Sequence, residues 1–263
     1  MPDVTLIGLP TDANSSFERG AALAPPAIRE ALFSDRGNMA SEIGLEIGLD
    51  IALTDTGDVT VPDGQAGHDA IRAAIAGLDS VPIALGGDHA VTFPIVQGLT
   101  ARHGPLSILH VDAHPDLYDD FGGNPLSHAS PFARIMEGGL ASRLVQIGIR
   151  TLNAHCREQA ARFGVEIIPM PAFDARTAPV LKGPLYISID LDGIDPSEAP
   201  GVSHPEPGGL TVREVLSVLH AQTAPIIGAD VAELNPNRDP SGVTAIIAAK
   251  LVRELAALIT RNG

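Results

Sequence analysis

The sequence predicts an α/β fold built on a mostly parallel sheet. Short, almost continuously apolar runs are typical of strands buried on both faces. These runs alternate with helical patterns, which is the arrangement of successive βαβ units. The chain has 263 residues, 44% of them hydrophobic, enough for a sizeable core. About eight strands are expected, which leaves an open sheet or a barrel as alternatives. We expect one domain over 1–263, because no linker or repeat interrupts the pattern.

Local signals justify the elements in turn. Pro25 and Pro26 favour a helix start, so the first helix is predicted over 27–33. Alanine-rich or amphipathic patterns predict helices over 70–78 and 90–99 and near the C-terminus. Thr211 with Glu214 has the spacing of a capping box at the start of another helix. The predicted strands are 4–9, 51–53, 81–85, 106–111, 143–149, 165–168, 185–189 and 226–231.

Composition excludes several classes of protein. There are 17 Lys and Arg against 32 Asp and Glu, a net charge of -15 at pH 7. Nucleic acids and anionic membranes need a basic surface, so neither is an expected partner, whereas a small cationic molecule fits. No apolar run reaches the ~18 residues of a membrane span. The single cysteine, Cys156, and the lack of a signal-peptide pattern predict a cytoplasmic location.

Acidic and imidazole side chains follow four of the predicted strands. Ligands bind at the carboxyl ends of parallel strands, so residues just after each strand matter most. Alternate residues of an extended chain point the same way, which groups side chains spaced two apart. The six residues that this reasoning selects are His89, Asp112, His114, Asp116, Asp190 and Asp192. Glu233 follows the last strand, and taken alone it would be interpreted as a helix cap.

These six residues together predict a dinuclear metal site. One Asp-x-Asp pair is usually a turn or a cap, and the prediction depends on the combination. Four clustered carboxylates repel one another unless cations lie between them, and two divalent ions balance their charge. A mixed Asp and His set suits Mn²⁺, and two such ions generate a hydroxide nucleophile near neutral pH. His110, inside a strand, is expected to be packed, and the role of His204 stays open.

Three motifs resemble those of the ureohydrolase superfamily, which includes arginases, agmatinases and related guanidino hydrolases. They are Gly-Gly-Asp-His at 86–89, Asp-Ala-His-Pro-Asp at 112–116 and Ser-Ile-Asp-Leu-Asp-Gly-Ile-Asp-Pro at 188–196. The stretches 14–17, 127–139, 199–204 and 242–255 are most similar to plant-type arginases. The resemblance implies a three-layer α/β/α sandwich with a central, mostly parallel eight-stranded sheet. It also implies a homo-oligomer, either a trimer or a hexamer.

The resemblance also implies roles for individual residues. It assigns Asp112 and Asp190 to both of two Mn²⁺ ions, His89 and Asp116 to one of them, and His114 and Asp192 to the other. It makes His128 a proton shuttle and Asp116 the acceptor that passes a proton to the leaving amine. Glu233 would hold the guanidinium, because a planar guanidinium pairs bidentately with a carboxylate. Asn124 and Asn153 are predicted to contact the rest of the substrate.

The predicted reaction is hydrolysis of L-arginine to L-ornithine and urea. Agmatinase or dual activity is the main alternative, since the acidic loop 117–120 would suit the amine of agmatine and repel a carboxylate. Arginine breakdown and polyamine supply are both compatible with these reactions. Another guanidino acid is a further alternative. Two other classes are a non-catalytic binding protein and a dinuclear phosphoesterase, but no basic cluster flanks the motifs to hold a phosphate.

Overall fold

An open eight-stranded sheet forms the centre of the computed structural model, which describes residues 3–263. In chain order its strands are β1 (Val4–Gly8), β2 (Leu53–Asp58), β3 (Val81–Leu85), β4 (Leu106–Val111), β5 (Ala141–Ile147), β6 (Glu166–Ile168), β7 (Leu185–Asp190) and β8 (Ile226–Ala232). Their order across the sheet is β2-β1-β3-β8-β7-β4-β5-β6, and neighbouring strands are parallel. Since β2 and β6 lie at opposite edges, the sheet is open and the barrel alternative is wrong.

Helices cover both faces of the sheet. They are α1 (Ala24–Leu32), α2 (Gln65–Ala76), α3 (Thr92–His103), α4 (Pro131–Glu137), α5 (Ala154–Phe163), α6 (Val212–Ala221) and α7 (Val243–Asn262). One apolar core joins α1, α6 and α7 to the sheet, and a second joins α2 to α5 to the other face. The three-layer α/β/α sandwich is therefore confirmed. Strands with both faces buried explain the uninterrupted apolar runs, as in β4, where all six residues are buried.

Most predicted elements are present, with shifted ends. Strands β3 and β4 have the predicted bounds. The prediction is poorest at β2, an edge strand of partly or fully exposed residues that begins where the predicted strand ends. The capping box is present, because the Glu214 amide donates to Thr211 Oγ1 and the Thr211 amide donates to Glu214 Oε2. Helices α4 and α5 were not predicted.

The sheet order explains why distant motifs meet. The strands followed by the predicted site residues are β3, β8, β7 and β4, and these are consecutive neighbours in the sheet. Adjacent strands are spaced about 4.8 Å apart, so their carboxyl ends span roughly 15 Å. Residues from positions 89 to 233 of the sequence are thereby brought to one edge.

Candidate metal centre

Three carboxylates converge on one nitrogen of His89. Its Nδ1 lies 3.2 Å from Asp112 Oδ2, 3.1 Å from Asp116 Oδ2 and 3.2 Å from Asp190 Oδ2. The ring is fully buried, and among residues 3–263 Nδ1 makes no hydrogen bond. Buried polar atoms normally find a partner, so an unsatisfied nitrogen facing three oxygens fits a metal ligand.

A second set of ligands adjoins the first. His114 Nδ1 lies 3.1 Å from Asp192 Oδ2 and 3.4 Å from Asp112 Oδ1. The two oxygens of Asp112 thus face different imidazoles, with Oδ2 toward His89 and Oδ1 toward His114. Asp112 is therefore a residue that could contribute to holding two cations. The structure therefore brings all six predicted ligands together in two adjoining groups.

The electrostatics of the centre also fit bound cations. Burial, with Asp192 and Asp112 nearby, raises the pKa of Asp190 well above its ordinary value. Burial and the charge of Asp112 raise the pKa of Asp116 to about 7. Four buried carboxylates therefore cannot all ionise at neutral pH without neighbouring positive charge. Two divalent cations held by these residues would supply that charge.

A buried network fixes the orientation of His89. Its Nε2 lies 2.9 Å from Ser188 Oγ, and that hydroxyl donates to Asp230 Oδ1 at 2.8 Å. Asp230 is fully buried and also accepts from the hydroxyls of Thr92 and Tyr186. Partners behind a ligand hold the imidazole ring in place and select its tautomer. Here they direct Nδ1 toward the three carboxylates.

His110 lies behind Asp112 and forms a hydrogen bond with its carboxylate. It is fully buried and stacks on Phe132, as expected for a packed histidine. The Gln146 amide donates to His110 Nδ1 at 2.9 Å, so the ring proton is on Nε2, which donates to Asp112 Oδ2 at 2.8 Å. Burial lowers the pKa of His110 to about 4, which keeps the ring neutral. His110 therefore orients Asp112 without adding charge.

His128 and Glu233 form a hydrogen-bonded pair beside the metal ligands. His128 Nδ1 lies 2.8 Å from Glu233 Oε1, which also accepts the His89 amide at 2.8 Å. On the other side of the ring, the Ser16 amide donates to His128 Nε2 at 3.1 Å, which favours the neutral ring. Burial disfavours protonation of His128, but Glu233 prevails and raises its pKa to about 9. A ring subject to these opposing influences is suited to carrying a proton.

The backbone is strained at two of these positions. Among residues 3–263, Asp116 and Glu233 are the non-glycine residues with positive φ, at 50° and 65°. Such conformations cost roughly 1–3 kcal/mol each and are found preferentially at functional sites. Both side chains line the cavity described next, which links the strain to their placement.

A cavity of about 240 Å³ opens over the metal ligands. The residues that line it are far apart in the sequence. A local sequence pattern cannot show that such residues lie around one cavity. The lining residues are Ser16, His114, Pro115, Asp116, Tyr118, Phe121, His128, Ala129, Thr151, Cys156, Asp190, Asp192, His204 and Glu233. Sequence reasoning did not select Ser16, Phe121 or Thr151 as site residues, although Ser16 lies in the stretch 14–17 that resembles plant-type arginases.

The two predicted substrate-tail residues do not line this cavity. Asn153 caps α5, because its Oδ1 accepts the Cys156 amide at 2.9 Å. Its Nδ2 donates to the hydroxyl of Tyr118 at 2.5 Å, which places Asn153 behind a lining residue. Asn124 donates to Asn14 Oδ1 at 3.1 Å in a surface loop. Direct contact of either asparagine with a substrate stays a prediction.

The structure also bears on the membrane. Within residues 3–263, the helices are all too short or too polar to span a bilayer.

Known proteins resemble this chain over nearly its full length. "Arginase 1, mitochondrial" from Arabidopsis thaliana is 50% identical, an alignment that covers 98% of this chain and 81% of the relative. The solved structure of an arginase from Medicago truncatula is 45% identical, covers 98% of this chain and 87% of that chain, and superposes with a TM-score of 0.93. "Agmatinase, mitochondrial" from Gallus gallus is 34% identical over 98% of this chain and 81% of the relative.

These names correct one prediction. The Arabidopsis relative is named mitochondrial, and so is a second relative, "Arginase, mitochondrial" from Medicago truncatula. The predicted cytoplasmic location is therefore wrong. The prediction used the single cysteine, Cys156, which indicates at most a reducing environment and does not distinguish between compartments that share one.

A comparison of the sequence with models of protein families gives the same result as these relatives. The model described as "Arginase family" matches residues 2–257. The match covers far more than half of the sequence, and the chain belongs to the arginase family.

Proposed function

We propose that this protein hydrolyses L-arginine to L-ornithine and urea with two Mn²⁺ ions bound at the candidate metal centre. The observation that carries the proposal is the position of Glu233, a buried carboxylate on the wall of the cavity beside six metal-ligating side chains. That arrangement suits a planar cation presented to a dinuclear site. The identity of the arginase relatives supports arginine as the substrate.

Glu233 would bind the guanidinium. Its Oε1 already accepts from His128 and from the His89 amide, and among residues 3–263 no group donates to Oε2. Oε2 is therefore available to a guanidinium N–H, and the pairing of carboxylate with guanidinium is charge-assisted. Glu233 has a positive φ of 65°, and its side chain lines the cavity.

Asp116 and His128 would handle protons. His89, Asp112, Asp116 and Asp190 would hold one Mn²⁺, and Asp112, His114, Asp190 and Asp192 the other. When bound, the two ions supply a nucleophile by lowering the pKa of water. Asp116, which lines the cavity, would accept a proton from that water and pass it to the leaving amine. His128 lines the cavity and reaches Ser16 through Nε2, so it can exchange protons with solvent.

The acidic loop favours agmatine less than its sequence suggests. Tyr118 lines the cavity, but Asp119 and Asp120 do not. Asp119 instead lies 3.1 Å from His155 and is largely exposed. No carboxylate of this loop is therefore placed to repel the carboxylate of arginine. Agmatinase activity is the second candidate, supported by the identity of 34% to the chicken agmatinase.

Urea release distinguishes the two substrates. Protein loaded with Mn²⁺ is given L-arginine or agmatine at equal concentration, and urea is measured over time. We expect arginine to react at least about tenfold faster, a difference of roughly 1.4 kcal/mol. Faster release from agmatine would assign the chain to agmatinases, and no urea from either would overturn the proposal.

Two finer proposals accompany the function. Mn²⁺ is inferred from the mixed Asp and His ligands, and reconstitution of metal-free protein with Mn²⁺, Zn²⁺ or Mg²⁺ tests it by comparing rates.

A homo-oligomer is supported by exposed apolar side chains, among them Phe33 and Ile246 at 49% and 41% exposure. Light scattering after gel filtration measures the mass, and a monomer would exclude the trimer and the hexamer.

A further inference from the structure

A third group of metal-ligating side chains lies on the wall of the cavity. His128, His204 and Glu233 each offer one donor atom, and these atoms lie within 4.8 Å of one another. The His128 and His204 rings are 5.1 Å apart between centroids. Of the six predicted ligands of the dinuclear centre, none belongs to this group, and the proposed mechanism gives His204 no task.

The three side chains differ in how firmly they are held. Glu233 and His128 are buried and hydrogen-bonded to each other. His204 is half-buried, and its one hydrogen bond among residues 3–263 is long, 3.5 Å from Nε2 to Ser16 Oγ. Its ring is packed edge-on against Phe17. His204 can therefore shift toward His128 and Glu233 and lose only one long hydrogen bond.

The ligand chemistry matches zinc. Two imidazoles and one carboxylate form a common three-residue set that leaves a fourth position open. Zinc–ligand bonds of about 2.0–2.2 Å place tetrahedral ligand atoms roughly 3.4 Å apart. The three donor atoms now lie no more than 4.8 Å apart, which exceeds the tetrahedral spacing by about 1.4 Å at most. Zn²⁺ also binds imidazole more strongly than Mn²⁺ does.

We propose that His128, His204 and Glu233 form a third cation site, which takes Zn²⁺ and inhibits the enzyme reversibly. The inhibition rests on the proposed function, because the site uses the carboxylate that would bind the guanidinium and the imidazole that would carry the proton. A dication bound to Glu233 neutralises the carboxylate and repels the guanidinium, so zinc and substrate compete. Zinc binding itself does not depend on which guanidino compound is the substrate.

The kinetic test compares zinc inhibition in His204→Ala and in the unchanged protein. Both are saturated with Mn²⁺, and each rate is expressed relative to the zinc-free rate of the same variant. We expect inhibition competitive with L-arginine, and an inhibition constant at least about tenfold higher in H204A. His103→Ala, which removes an exposed imidazole at the end of α3, is the matched control and should be inhibited like the unchanged protein.

Zinc that replaces Mn²⁺ in the dinuclear centre must be distinguished from zinc at the new site. The Mn²⁺ content is therefore measured after gel filtration of the inhibited enzyme. Retained Mn²⁺ together with weaker inhibition of H204A supports the third site. Equal inhibition of H204A and the unchanged protein, or loss of Mn²⁺ in proportion to inhibition, overturns it.

A binding measurement tests the zinc site independently of enzyme activity. Equilibrium dialysis against Zn²⁺ with saturating Mn²⁺ should show one zinc more per chain in the unchanged protein than in H204A. Equal zinc in both proteins would refute the site even if urea is released as proposed. If no guanidino substrate is hydrolysed but the extra zinc is bound, the proposed function fails and the cation site stands.

Discussion

Glu233 Oε1 lies 2.8 Å from His128 Nδ1, although the two residues are 105 positions apart in the sequence. The same oxygen accepts from the amide of His89, a predicted metal ligand. One carboxylate oxygen thus joins the His128 imidazole to the predicted metal ligands. In the proposed function, the other oxygen binds the substrate.

Glu233→Gln should reduce kcat/KM for L-arginine about a hundredfold to a thousandfold. The amide keeps the shape of the side chain but loses the charge that pairs with the guanidinium, a loss of roughly 3–4 kcal/mol. Steady-state kinetics measure the change. Mn²⁺ content, measured by atomic absorption, should stay at the unchanged protein's value, because Glu233 is not among the six ligands. Activity within threefold of the unchanged protein would exclude Glu233 as the guanidinium partner.

Mn²⁺ should stabilise the protein more at pH 8 than at pH 6. In the metal-free chain the pKa of Asp116 is raised to about 7, so the folded state binds this proton more tightly than the unfolded state. Its contribution to stability is therefore lost as the pH rises from about 4 to 7. Bound cations compete with the proton and remove this loss, since metal ligands must be deprotonated.

The measurement is Tm with and without Mn²⁺ at the two pH values. We expect a larger rise in Tm at pH 8, and weaker Mn²⁺ binding at pH 6. Equal rises at both values would show that no proton is displaced from the centre. Mg²⁺ at the same ionic strength is the control for a general salt effect.

Ser188→Ala should weaken Mn²⁺ binding about tenfold to a hundredfold. The substitution removes the hydroxyl between His89 Nε2 and Asp230, so the ring is no longer held with Nδ1 toward the carboxylates. Dialysis against buffered Mn²⁺ measures the affinity. Ser217→Ala removes an exposed hydroxyl from α6 and serves as the matched control. An unchanged affinity in S188A would mean that the carboxylates alone orient the ring.

Asn153→Ala should lower the free energy of unfolding by about 1 kcal/mol, since it removes the cap of α5. Asn153→Asp keeps an acceptor for the Cys156 amide and should restore most of that stability. Urea denaturation measures both variants. The same variants test the predicted substrate contact, because both lose the donor to Tyr118. An unchanged KM for arginine in both would remove Asn153 from substrate binding.

The metal ligands were accessible to sequence reasoning because their signal is local. Asp112 and His114 follow a strand whose every residue is buried, so both the strand and its end are visible in the apolar run. The alternating spacing then groups the side chains. Edge strand β2 gave no such signal, because its residues are largely exposed.

Other features depend on contacts that no local pattern encodes. Ser16 reaches His128 across 112 positions, and only the folded chain brings them together. Helix α5 was missed because it is largely polar, with Cys156, Gln159 and Ala160 as its buried residues. The positive φ of Glu233 has no signature either, since glutamate is not a residue that favours this conformation.

The position of β8 has a consequence for the order of assembly during synthesis. This strand is the last of the sheet to leave the ribosome, yet it joins β3 on one side to β7 on the other. Before it inserts, the sheet consists of two separate halves. His89 belongs to one half, and Asp112, Asp116 and Asp190 belong to the other. A nascent chain that lacks β8 therefore has the predicted ligands in two unconnected parts, and we expect the complete centre to form only after β8 is added.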